Sequence, residues 1–112
     1  MLIRSQNKEV LATFELLFDI EVSGGVISAR RDMGWCCLLG EYSTKAKAMK
    51  VLNMIQEAYA DVEYTKYIIP EVCRVLSMKP KTEENKAHAR ELGEMLKNGM
   101  TFQMPEDSEV EV

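Results

Sequence analysis

The chain has 112 residues, 46% hydrophobic and 29% charged, with a net charge of −4. That length suits one domain with a small core, and no apolar run approaches the roughly 20 residues that cross a bilayer. Residues 106–112 hold four of the 18 acids and no base, so residues 1–105 carry 14 acids against 14 bases and lack the basic excess of a general nucleic-acid binder.

The first 42 residues read as strands. Leu2–Ser5 and Val10–Phe14 flank the polar stretch Gln6-Asn7-Lys8-Glu9 and predict a hairpin. Phe18, Ile20 and Val22 alternate with Asp19 and Glu21, the period of a half-buried strand. Gly24-Gly25 suits a tight turn into a strand from Val26 to Arg31. Met33-Gly34 reverses the chain again, and Trp35 to Tyr42 closes the block.

Residues 44–59 form the clearest helix, with Ala48, Val51, Leu52, Ile55, Ala58 and Tyr59 on one face and Ser43 or Thr44 placed to cap it. Ile68–Met78 is apolar and predicts a short helix with Pro70 in its first turn. Thr82, followed by Glu83 and Glu84, starts a further helix running to about Lys97, with a left-handed stop at Asn98-Gly99. Its apolar stripe, Ala89, Leu92, Met95 and Leu96, is thin and suits a surface or a partner chain. Met100, Phe102 and Met104 alternate as a last short strand ended by Pro105. The expected fold is α+β: an antiparallel sheet of about five or six strands, the N-terminal meander plus the short C-terminal strand, packed with two or three helices. Residues 1–105 make one domain, and 106–112 are an acidic tail expected to be disordered.

Reactive constellations are sparse. His88 is the single histidine, so a zinc site of the usual composition lacks its remaining nitrogen ligands. Cys36 and Cys37 are adjacent, without the two-residue spacer of redox and metal motifs; Cys36 or Cys37 on a core-facing strand position reads as a small hydrophobe, and Cys73, within an apolar helix, as structural. Three cysteines and no basic, apolar leader suggest free thiols in a reducing, cytoplasmic compartment. No glycine-rich turn runs from strand into helix as a phosphate loop requires. The expectation is a protein without enzymatic activity, cofactor or metal.

Arg30-Arg31 with Trp35 just beyond the turn is the cluster that stands out, and Arg4 joins it if its strand is adjacent. Guanidinium forks recognise phosphate or carboxylate in pairs of hydrogen bonds, and an indole stacks on a base. The same residues also suit a sheet edge blunted by charge, with Trp35 in the core. The first reading makes Arg4, Arg30, Arg31 and Trp35 a ligand-binding set for an anionic small molecule or nucleotide signal.

Three segments together resemble a group of short phage- and prophage-encoded proteins of gut Firmicutes. They are the opening Met1-Leu2-Ile3-Arg4-Ser5-Gln6-Asn7-Lys8, the junction Leu39-Gly40-Glu41-Tyr42-Ser43-Thr44-Lys45 running on through Ala48–Ile55, and the ending Phe102–Val110. The resemblance carries over no catalytic residue. What it implies is a setting in which small proteins counter host defence by binding. Anti-Thoeris sponge proteins are similar in size and in combining an antiparallel sheet with helices, and those sponges hold nucleotide signals in oligomeric pockets. None of their ligand-binding residues maps onto this chain. The expected alternatives are a homo-oligomer that sequesters a nucleotide-like signal, an inhibitor that blocks a host protein, with the acidic tail as a DNA mimic, and an accessory phage protein.

Overall fold

The computed structural model describes residues 1–98 and 100–111. In chain order it contains β1 (Leu2–Arg4), β2 (Leu11–Thr13), β3 (Asp19–Ser23), β4 (Val26–Arg30), β5 (Cys36–Glu41), α1 (Lys45–Ser77), α2 (Glu83–Asn98) and β6 (Thr101–Gln103). Single 3-10 turns lie at Phe14–Leu16, Asp32–Gly34 and Asp107–Glu109. The class is α+β, but the strands make two sheets of three, ordered β2–β1–β6 and β3–β4–β5, where one sheet of five or six was expected. β6 also pairs with β1 in parallel, Ile3 opposite Phe102.

The division has a local cause. After β2 the chain tightens into the Phe14–Leu16 turn instead of continuing as a strand. At the junction of the sheets, Gln6 N donates to Leu39 O at 2.7 Å. From there a side chain replaces a strand: Gln6 Oε1 accepts from Glu41 N (2.9 Å), and Gln6 Nε2 donates to Glu41 O (3.1 Å) and to Pro105 O (3.2 Å). A primary amide offers the same donor and acceptor as a peptide group, so it satisfies the β5 edge where the ladder stops. Replacing Gln6 by Leu should lower stability by about 2 kcal/mol, the order expected when backbone groups lose their partners. An unchanged urea midpoint for that variant would show that the amide is dispensable.

The β1–β2 hairpin forms as expected. Asn7 Oδ1 accepts from Glu9 N, Lys8 takes φ 67°, and the buried Ser5 hydroxyl accepts from Val10 N. In the β3–β4 turn Gly25 is fixed by proximity: its carbonyl accepts from Tyr42 N at 2.7 Å, and a Cβ there would lie 2.1 Å from Tyr42 O. The core gathers Ile3, Ile27, Ala29 and Leu39 from the sheets with Ala48, Val51 and Ile55 from α1.

Thr44 caps α1, its hydroxyl accepting from Lys47 N at 3.2 Å. The two helices expected at 44–59 and 68–78 are one helix of 33 residues, about 50 Å long. The bridging segment keeps the helical period, with Val62 buried one heptad after Ile55 and Glu63 paired with Lys66. Pro70 therefore lies inside the helix, not in a first turn. It cannot donate to the Lys66 carbonyl, and both residues are exposed. Thr82 caps α2 as expected, accepting from Asn85 N at 3.2 Å. The stop expected at Asn98-Gly99 falls on Gly99, outside the described residues, as do the side chains of Met95 and Leu96.

The far half of α1 and the antiparallel α2 extend beyond the sheets as an arm. The radius of gyration is 17.4 Å, against about 13 Å for a compact chain of this length. Where a disordered acidic tail was expected, Asp107–Glu109 make a 3-10 turn. Residues 105–111 strap back over the start of α1, and Val110, 4% exposed, joins the core. Among the described residues no helix is long and apolar enough to cross a membrane.

Candidate functional site

The turn between β4 and β5 sets out the arginine–tryptophan cluster. Asp32–Gly34 makes one 3-10 turn, Gly34 adopts φ 80°, and Arg31 N donates to Trp35 O at 2.6 Å. Arg31 and Trp35 thus stand side by side at the mouth of the turn. With Val10, Leu16, Cys36 and Cys37 they line a cleft of about 680 Å3. Trp35 is 71% exposed, so it is not the core residue of the alternative reading. Arg31 is exposed and, among the described residues, its guanidinium has no ion-pair partner. Asp32 also lines the cleft, so the site combines one cation, one carboxylate and one aromatic plate.

The other two residues of the expected set are engaged elsewhere. Arg30 lies directly across from Asp19 in the β3–β4 register and binds Glu21 and Asp19. The hydrogen bond to Glu21, then the charges of Glu21 and Asp19, hold its guanidinium above the ordinary arginine range. Arg4 Nε donates to Lys8 O at 3.2 Å and braces its own hairpin. Neither residue lines the cleft. Cys36 is exposed and Cys37 half-buried, as neighbours on opposite faces of a strand should be, while Cys73, read as a structural residue, is exposed. His88 is exposed on α2. Among the described residues no three His, Cys, Asp or Glu side chains converge as a metal site.

A second cleft, about 430 Å3, opens between α1 and the start of β3. Phe14 and Tyr59, stacked with centroids 4.4 Å apart, line it together with Asn53 and Gln56. Tyr59 belongs to the apolar face read from the sequence, whereas Asn53 and Gln56 fall outside its positions 48, 51, 52, 55, 58 and 59. The cleft at the boundary brings them together, and no spacing pattern signals that.

The strap forms a polar network of its own. Tyr42 OH donates to Pro105 O at 2.8 Å, and Asp107 Oδ1 accepts from Ser43 N at 2.8 Å. Lys47 Nζ donates to Asp107 O at 3.0 Å, and Lys50 Nζ donates to Glu111 O. These groups tie the chain to itself. No protein-family model, curated protein or solved structure matches the chain.

Proposed function

We propose that this protein works by binding rather than catalysis, and that its ligand is a planar anion of nucleotide type held between Arg31 and Trp35. The observation that carries the reading is the pairing, at one cleft, of a large, 71% exposed indole with a guanidinium that has no ion-pair partner among the described residues. An exposed Trp gains little from water, whereas a stacked base returns roughly 1–3 kcal/mol. Arg31 supplies the fork that phosphate oxygens accept. The volume falls in the range of small-ligand sites. In the phage setting that the sequence resemblance implies, such binding removes a host signal from circulation.

Trp35 is the chain's single tryptophan, so its emission reports directly on the cleft. Titration with cyclic nucleotides and ADP-ribose should quench it saturably. Arg31→Ala should weaken the best ligand about tenfold or more, the effect of losing one charge-assisted contact of about 1.4 kcal/mol or above. Trp35→Phe should keep part of the affinity, measured by calorimetry. Unchanged emission and unchanged thermal midpoint with every nucleotide tested would sink the reading.

A further inference from the structure

The far half of α1 has two apolar flanks and only one cover. Ile68, Ile69, Val72 and Leu76 turn toward α2 and are half-buried. On the neighbouring flank Tyr64, Tyr67, Val75 and Met78 are 68, 81, 43 and 73% exposed. Their spacing, three, eleven and fourteen residues on from Tyr64, keeps them on one side of the helix. Midway along this stripe lie one acid and one base, Glu71 and Arg74, bonded to each other within the helix.

We infer that this stripe is the contact between two copies of the chain, packed antiparallel about a two-fold axis. The order of the charges selects both occupant and direction. An axis level with the Val72–Cys73 peptide sets Glu71 of each copy against Arg74 of the other, and Tyr67 of each against Met78. A two-fold contact requires a patch that complements itself in this manner. Parallel packing instead sets Glu71 on Glu71 and Arg74 on Arg74, which is repulsive. The four apolar side chains expose on the order of 500 Å2 per copy, so two copies bury about 1,000 Å2, the lower bound for specific association. The dimer is therefore weak and concentration-dependent. Antiparallel docking of the arms sends the two sheet bodies to opposite ends. The inference rests on α1 alone and is independent of the Arg31–Trp35 cleft.

Sedimentation equilibrium of the full chain tests it through charge exchange. The wild-type chain should dimerise reversibly at high micromolar concentration. Glu71→Arg and Arg74→Glu should each weaken association at least tenfold, because each turns both cross-pairs into like charges. An equimolar mixture of the two single variants should restore a one-to-one dimer, since one stripe then carries two bases and the other two acids. The double exchange, Glu71→Arg with Arg74→Glu, should dimerise like wild type. Restored dimer in the mixture also shows that both variants fold. A wild-type chain that stays monomeric, single variants that dimerise unimpaired, or a mixture that stays monomeric each overturns the proposal.

Discussion

Deleting residues 106–112 should destabilise the body by about 3–5 kcal/mol, an effect that a disordered acidic tail would not produce. The larger part comes from Val110, which is 4% exposed and packed with the core; burying a valine side chain is worth about 1.5–3 kcal/mol. The remainder comes from Asp107, which accepts from Ser43 N at the entry to α1, and from the lysine contacts of the strap. Val110→Ala should recover the polar share and lose only the apolar one, about 1–2 kcal/mol. Asp107 adds a pH signature. The Ser43 amide foremost, and then Lys47, hold its carboxyl below its ordinary 3.8. Its contribution is therefore complete above that pH and fades as acid takes the pH down through the lower folded value. Urea unfolding of the truncated chain reads the total. A midpoint equal to that of the intact protein would mean the strap does not dock.

The parts of this fold that were legible in the sequence are those governed by neighbours in the chain. Thr44 before the period 48, 51, 55 announces both the cap and the buried face of α1, and Gly24-Gly25 announces the turn that β3 and β4 share. What was not legible depends on partners far along the chain. Adjacent strand residues point to opposite faces, and the pairing register decides what each one meets. Arg30 and Arg31 are therefore equivalent by eye, yet Arg30 falls opposite Asp19 and is neutralised while Arg31 escapes into the cleft. The sheet boundary depends on the Gln6 side chain, which mimics a strand and has no periodicity to detect. Pro70 reads as a helix start, but the apolar period running through Val62 overrides it. In the tail, four acids conceal one valine whose burial outweighs their tendency to solvation.

Stability should fall by about 2–3 kcal/mol as the pH rises from 10 to 12, and Tyr42 should be the cause. Its side chain is 5% exposed, its hydroxyl donates to Pro105 O at 2.8 Å, and β5, α1 and the strap converge on it. Burial foremost, and then the nearby Glu106, Asp107 and Glu109, push its phenol from 10.0 up to about 12. The folded state therefore holds the proton after the unfolded state has released it. Because the unfolded chain binds fewer protons in this window, stability declines with pH. A shift of about two units at 1.36 kcal/mol each sets the magnitude. Lysines lose charge over the same range, so the informative quantity is the difference between wild type and Tyr42→Phe. Near pH 8 the wild type should be the more stable by about 1–2 kcal/mol, the value of a hydrogen bond to a buried carbonyl. That margin should shrink through pH 11 and vanish or reverse near 12, where a phenolate has no proton left to donate and faces the Pro105 oxygen directly. A margin that stays constant from pH 8 to 12 would mean that Tyr42 ionises equally in both states, and that the strap does not seal it from water.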